Sequence, residues 1–373
     1  MQKFLKNYVY PIATLSGSII GVGIFSLPYI ASRVGIWAML VYFLLLGGLV
    51  ILIHCLFGKV ALKTPDRLRL PGFAKIYLGD WGKIAAAVSM AVGFIGAILA
   101  YLIVGGEFLS NLLSPVLGGG DLFWTLVYFA AGALLIFFGI KAIAKIEFWG
   151  LILFFVILFL IFWKAFPQIN LSNFFVSDFG FKISDFFLPY GPILFSLWGA
   201  SLIPEIEEML GSQKSLLKKI IPISILIPIL VYLFFIYLVL GITGDQTTES
   251  ALPGLKNHLG GFIFNLGLFF GVLTTFTSFA ILGLTLKKTL WYDFKIPRIF
   301  AWAIACFLPL FLFLAGFKSF ISVISLVGAI MLAVDGILIL LMYQKIGGKK
   351  ALIWPLFLAL FTGIVYEIIN TLQ

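Results

Sequence analysis

The residues with the clearest chemical potential are three glycines and a proline inside an apolar stretch, residues 14–28. Gly17, Gly21 and Gly23 fall within seven residues, and Pro28 follows. Each glycine weakens a helix by about 1 kcal/mol relative to alanine. A helix that opens in hydrocarbon needs partners for its freed N–H and C=O groups, which a bound polar solute and a cation would supply. The alternative is an unbroken membrane helix, because the spacing of Gly17 and Gly21 also fits a small-residue packing motif.

A second interrupted stretch, residues 188–205, mixes prolines and glycines with small polar residues such as Ser196 and Ser201. The alternative here is a helix that Pro204 merely kinks, with neighbours covering the freed carbonyl. Two interrupted membrane spans in corresponding positions, the first and the sixth, are typical of an inverted repeat. In such a repeat the binding site lies at the bilayer midplane, between the two breaks.

Hydroxyl groups cluster in the predicted eighth span at Thr274, Thr275, Thr277 and Ser278. Each hydroxyl in a membrane helix bonds by default to its own turn. Four in five residues, with no carboxylate beside them, also suit a weakly held monovalent cation such as Na⁺, since hard cations take oxygen ligands.

Ionisable residues inside a membrane span are functional candidates by default. Glu205 is the deepest carboxylate of the sixth span and is the proton-relay candidate if coupling is to H⁺. Asp335, in the tenth span, has no assigned role and could pair with His54 or a lysine, or be neutral. We expect His54 to be a satisfied interfacial residue rather than a relay.

Composition identifies the elements that must position these groups. Of 373 residues, 62% are hydrophobic and only 11% are charged, with a mean hydropathy of +1.17. Soluble domains carry about 25% charged residues, so the sequence predicts an all-α polytopic membrane protein. Its apolar runs are continuous, which excludes the alternating pattern of a β-barrel. The first run is too long for a signal peptide and has no small-residue cleavage site after it.

Hydropathy predicts eleven membrane spans in a single transmembrane domain, 1–373. Repeat one covers about 8–166 and repeat two about 187–343, with an extra helix at about 351–369. The predicted spans are 8–30, 35–57, 84–110, 122–140, 147–166, 187–209, 220–242, 261–286, 299–315, 320–343 and 351–369.

The basic residues between spans predict the orientation. With the N-terminus in the cytoplasm, the inside segments hold 20 lysines and arginines and the outside segments hold 5. This asymmetry places the C-terminus outside, and we expect the protein in the plasma (inner) membrane. It also explains the formal charge of +10 without a nucleic-acid partner.

The stretch 17–28, Gly-Ser-Ile-Ile-Gly-Val-Gly-Ile-Phe-Ser-Leu-Pro, resembles the first-helix signature of the amino acid–polyamine–organocation superfamily. Further matches are 100–106, 203–205, 277–279 and 282–284. Within the superfamily the chain is most similar to the amino acid/auxin permease family and to bacterial aromatic amino acid permeases. The resemblance covers nearly the whole chain. It implies the five-plus-five inverted repeat of the bacterial leucine transporter, with discontinuous helices 1 and 6.

The resemblance also implies site residues. The substrate carboxylate would sit on the amides of Val22 and Gly23, and the ammonium on carbonyls near the second break. Aromatic side chains would close over the substrate, and a serine of the first helix would add a hydrogen bond. The implied substrate set is Ser18, Val22, Gly23, Tyr101, Phe195, Ser196, Leu197 and Trp198, and the implied Na⁺ set is Gly17, Ile20, Thr274, Thr277 and Ser278.

These observations predict a secondary active permease that imports a neutral amino acid, an aromatic one among the candidates, by cation-coupled alternating access. The alternative is a non-transporting membrane amino acid sensor. No ATP-binding Gly-x-x-x-x-Gly-Lys-Ser/Thr motif and no converging His, Asp and Cys set occur in the sequence, so neither a pump nor an enzyme is expected. We expect no cofactor, an amino acid substrate and the lipid bilayer as partners, and either Na⁺ or H⁺ as the coupling ion. The sequence leaves the oligomeric state open.

Overall fold

The computed structural model describes residues 4–64, 68–138, 153, 155–164, 166–174, 186–292 and 294–372, and all regular structure in these residues is helical. The first half of the described chain holds α1 Tyr10–Ile19, α2 Leu27–Val34, α3 Ile36–Lys63, α4 Leu70–Leu78, α5 Asp80–Leu117, α6 Asp121–Phe138 and α7 Phe155–Lys164. The second half holds α8 Tyr190–Leu197, α9 Ile203–Leu210, α10 Leu217–Thr243, α11 Gly261–Tyr292, α12 Arg298–Leu314, α13 Phe320–Leu326, α14 Ala333–Lys345 and α15 Lys350–Leu372. The predicted all-α class is confirmed.

Each predicted span has a helical counterpart. In the described residues seven helical runs are long and apolar enough to cross a membrane, and a bent pair at the N-terminus makes an eighth. The stretch Tyr190–Gln246 contains α8, α9 and α10 and holds the predicted sixth and seventh spans. Two shorter apolar helices, α7 and α12, coincide with the predicted fifth and ninth spans. Part of the predicted fifth span, 147–166, lies outside the described residues.

The first span is broken where the glycines predict. The backbone leaves the helix at Ile20 (ψ 87°) and is extended at Gly21 (φ −122°, ψ −156°). A 3₁₀ turn, Val22–Phe25, then leads into α2. The helical segments on either side of the break, Leu5–Ile19 and Val22–Val34, are inclined by 53°.

The sixth span is broken as well. The helix α8 ends at Leu197, Trp198 is extended (ψ 120°), and Gly199 is also outside the helical region (φ −136°, ψ 17°). A 3₁₀ turn, Ala200–Leu202, precedes α9, which has Pro204 in its first turn, where the missing N–H does no harm. The prediction that helices 1 and 6 are discontinuous is confirmed.

The neighbouring helices hold these two broken spans in place. The helix α10 packs against α1, α2 and α3, and α3 also packs against α8 and α9. On the opposite side, α8 crosses a π-helical segment, Val327–Leu332, that joins α13 to α14. A methyl group at Gly328 would overlap the Gly191 carbonyl oxygen, so the two backbones touch at this crossing.

The connection between the predicted second and third spans is not a plain loop, because it contains α4. Arg69 precedes this helix and forms an ion pair with Glu205 on α9. The end of the sixth span is therefore tied to the 58–83 connection.

Candidate functional site

The two breaks lie against each other. Gly23 has no side chain, and a Cβ atom there would overlap the Ser196 hydroxyl and lie 3.0 Å from the Ser196 Cα. Gly199 likewise faces α1, since a Cβ there would lie 2.8 Å from Cγ1 of Ile19. The glycines of the two interrupted stretches therefore bring the broken backbones into contact, and any larger residue would separate them.

Tyr232 on α10 joins the two breaks. Its hydroxyl lies 2.7 Å from the Ile19 carbonyl oxygen and 2.8 Å from the Ser196 carbonyl oxygen, and the whole side chain is buried. Both carbonyls belong to the last turns of helices that stop at a break, so neither has a full helical partner. One phenol proton thus serves a carbonyl from each broken span.

Two other hydroxyls form hydrogen bonds with backbone groups that follow the first break. The Val22 N–H donates to the Tyr101 hydroxyl of α5 at 3.3 Å, and the Ser26 hydroxyl donates to the Gly23 carbonyl at 2.7 Å. The Tyr101 hydroxyl also occupies the space beside Gly21 that a side chain would fill. Tyr101 therefore lies directly on the predicted carboxylate site.

His54 on α3 satisfies the second break. The Gly199 N–H donates to His54 Nε2 at 2.9 Å, and both groups are buried. The imidazole packs edge-on against the Trp198 ring, with centroids 5.0 Å apart. A ring nitrogen that accepts a hydrogen bond carries no proton, so His54 is neutral in this arrangement.

The backbone groups at the two breaks have opposite polarity. Carbonyls of Ile19 and Ser196 end two helices and carry partial negative charge, whereas the Val22 amide begins a helical turn and carries partial positive charge.

The remaining predicted substrate residues have structural contacts. Ser18 donates to the Leu15 carbonyl of its own helix at 2.9 Å, and Leu197 is fully buried. Phe195 lies where α8 meets the π-helical segment, since its amide nitrogen is 3.0 Å from a Cβ at Gly328. Ser196 donates its hydroxyl to the Pro192 carbonyl at 2.7 Å.

The predicted Na⁺ residues lie on two elements. Gly17 lies in the last turn of α1, Ile20 follows the end of that helix, and the others lie on α11. In the described chain the hydroxyl of Thr277 donates to the Thr274 carbonyl at 3.0 Å, and that of Thr274 lies 3.1 Å from the Phe270 carbonyl. These bonds stay within the helix's own turns, as threonine does by default. Among the described residues no group of three His, Cys, Asp or Glu could hold a metal ion.

Two of the carboxylates of α9 form ion pairs. Lys214 bonds to Glu207 at 2.6 Å, and Glu205 pairs with Arg69. Its side chain is 30% exposed and one of its oxygens is buried. Glu205 lies after the break, in the first turn of α9.

Two residues at this site were missed by the sequence reasoning. Tyr232 lies in an apolar helix with no local motif around it, and His54 was expected to be an interfacial residue.

We expected a bound solute to satisfy the opened backbone. Side chains of α3, α5 and α10 satisfy much of it instead. The only signal in the sequence was that Tyr232 and His54 are polar groups inside apolar spans.

Solved transporters share this fold. MhsT in complex with L-phenylalanine aligns over 97% of both chains, with a TM-score of 0.65 and 16% identity. Mhp1, a nucleobase-cation-symport-1 family transporter in a closed conformation with bromovinylhydantoin bound, has a TM-score of 0.67 and 12% identity. It covers 96% of this chain and 90% of its own. A manganese transporter of Eremococcus coleocola has a TM-score of 0.65 and 13% identity, covering 99% and 87%. The predicted leucine-transporter-like fold is confirmed.

A sequence profile identifies the family. The profile of the tryptophan/tyrosine permease family matches residues 6–358, nearly the whole chain. No curated protein sequence matches significantly. The apolar helices make the chain an integral membrane protein. The chain belongs to the tryptophan/tyrosine permease family and is a secondary amino acid transporter rather than an enzyme.

Proposed function

We propose that this permease imports a neutral amino acid, with aromatic side chains preferred, through a site between the breaks at 20–21 and 198–199. The observation that carries the proposal is the contact between the two breaks, where Tyr232 bonds to the Ile19 and Ser196 carbonyls and Tyr101 bonds to the Val22 amide. This arrangement matches the charges of a zwitterion. The preference for an aromatic side chain is supported by the family's name and by the L-phenylalanine bound to MhsT.

In this proposal the carboxylate replaces the Tyr101 hydroxyl at the Val22 and Gly23 amides, and the ammonium reaches the carbonyls at 195–197. Tyr101 and Trp198 cover the ligand, and Ser18 contributes a hydrogen bond. The coupling ion is either Na⁺ at Gly17, Ile20, Thr274, Thr277 and Ser278, or H⁺ by way of Glu205. The amino acid/auxin branch, import into the cytoplasm through the plasma membrane, a cytoplasmic N-terminus and an outside C-terminus also belong to this proposal.

Proteoliposomes containing the purified protein test it. Uptake of labelled tryptophan, tyrosine, phenylalanine, leucine and lysine is measured under a Na⁺ gradient, a pH gradient, or neither. We expect aromatic amino acids to accumulate under one gradient and lysine under none. Accumulation that is unaffected when choline replaces external Na⁺ would rule out sodium coupling.

The alternative function is a membrane sensor that binds an amino acid without moving it. It predicts substrate-induced thermal stabilisation with no flux under any gradient, across all twenty amino acids. The same preparation therefore separates the two functions.

A further inference from the structure

We propose that His54 is a proton-binding site that controls the break in the sixth span. Protonation of Nε2 would remove the acceptor of the Gly199 N–H and release this end of the break from α3. The proposal deepens the proposed function, because it assigns a proton site that acts on the substrate-binding break.

The geometry gives His54 only one way to hold the break. Its Nε2 accepts the Gly199 N–H at 2.9 Å, and the residue is fully buried. When a proton from water binds Nε2, the nitrogen becomes an N–H donor that points at another N–H donor. The hydrogen bond is then lost, and the two donors separate to find new acceptors.

Release at Gly199 would reach the substrate-binding residues directly. Trp198 packs edge-on against the imidazole, and Gly199 faces Ile19 at the first break. A charge on His54 therefore acts on an aromatic residue proposed to cover the substrate and on the backbone beside it.

Other titratable groups lie on α3 and on the helices around it. Helices packed against α3 carry, at buried or half-buried positions, Tyr29, Tyr77, Tyr190, Glu205, Glu207, Tyr232, Asp335 and Tyr343. On α3 itself lie Tyr42, Cys55, Lys59 and Lys63. Within the part of the chain that the structure describes, none of these side chains forms a hydrogen bond or ion pair with His54.

Asp335 is a buried carboxylate next in sequence to Gly336, which lies close to Trp198. A methyl group at the next residue, Gly336, would lie 3.2 Å from Cη2 of Trp198 and 3.5 Å from Cδ1 of Ile53. Asp335 is 6% exposed, and among the described residues its Oδ1 has no hydrogen-bond partner. It is therefore the competing proton site, and the experiment must separate the two.

The first arm measures the pH dependence of uptake between pH 5 and 8 for three variants and the parent protein. His54→Gln keeps an acceptor oxygen near the position of Nε2 but does not titrate. We expect it to transport with a flattened pH profile. His258→Gln, which removes the second of the two histidines, should keep the parent profile. A parent-like profile in His54→Gln, or a flattened profile in Asp335→Asn alone, would overturn the proposal.

The second arm does not require transport. Histidine labelled with ¹⁵N gives signals from only two residues, and His258→Gln assigns the His54 signal. If protonation and substrate binding act on the same break, thermodynamic linkage requires that substrate shifts the pH at which His54 is half protonated, its titration midpoint. If the neutral and protonated forms of His54 differ tenfold in substrate affinity, substrate shifts this midpoint by about one pH unit.

We expect a shift of at least about 0.5 unit with saturating tryptophan, which corresponds to roughly a threefold change in affinity. A midpoint that tryptophan does not move, or a His54 that never titrates, overturns the proposal even if uptake is normal. Absent uptake with a normal midpoint shift would count against the proposed transport function and not against the proton site.

Discussion

Replacing Tyr232 with phenylalanine tests the proposed site most directly. The change removes one hydroxyl and leaves the ring in place, so a carbonyl of Ile19 or Ser196 loses its donor. A buried carbonyl without a partner costs about 1–3 kcal/mol. We expect the substrate-free variant to unfold at a lower temperature than the parent protein.

The substrate should partly repair this loss. In our proposal the amino group donates to the same Ser196 carbonyl, so the penalty applies mainly to the empty site. Substrate affinity should then rise by about 5- to 150-fold, which corresponds to 1–3 kcal/mol. Turnover should fall, because the empty state that the cycle must restore is less stable.

The assay is thermal unfolding with and without saturating tryptophan, together with KM and kcat from proteoliposome uptake. Tyr190→Phe is the matched control. It is also a buried tyrosine, and its hydroxyl donates to the Ala359 carbonyl of α15 at 3.0 Å, outside the breaks. Tyr190→Phe should lose stability without a change in the substrate-induced stabilisation. If Tyr232→Phe behaves identically, Tyr232 is only structural and the assignment of the ammonium to Ser196 is wrong.

Four further predictions test other parts of the structure. Gly328→Ala should abolish folded protein in membranes, because a Cβ would overlap the Gly191 carbonyl oxygen. Gly48→Ala, with open space at its Cβ, should express normally and gain up to about 1 kcal/mol of helix stability. Ser278→Ala should weaken the stimulation of uptake by Na⁺, and unchanged stimulation would remove this hydroxyl from the proposed cation site. Glu205→Gln should alter the pH dependence of uptake if the proton relay runs through Glu205, and a parent-like profile would exclude it.

Local sequence was enough to predict the broken helices. Gly17, Gly21 and Gly23 lie within one short stretch, and Pro204 lies next to the second break. The effect of these residues on backbone conformation acts over a few positions, so a single sequence reveals it. Hydropathy also acts locally, and each predicted span overlaps a helix among the described residues.

The partners of the breaks could not be predicted in this way. Tyr232 is 213 residues from Ile19 in sequence, and His54 is 145 residues from Gly199. Such pairings depend on how helices pack, which no local pattern encodes. Glu205 is a similar case, since its partner Arg69 lies between the second and third spans, far in sequence from the sixth span. The sequence therefore located the breaks but not the side chains that hold them.

These partners suggest how binding leads to movement. Tyr101, His54 and Tyr232 hold the breaks to α5, α3 and α10 by neutral hydrogen bonds, each worth about 1 kcal/mol net. The ammonium and carboxylate of a substrate form charge-assisted bonds of roughly twice that strength. In our proposal, a substrate that takes over the bonds of Tyr101 and Tyr232 also detaches the broken spans from those two helices. Binding would then free the same segments that alternating access has to move, while His54 still holds Gly199 until it is protonated.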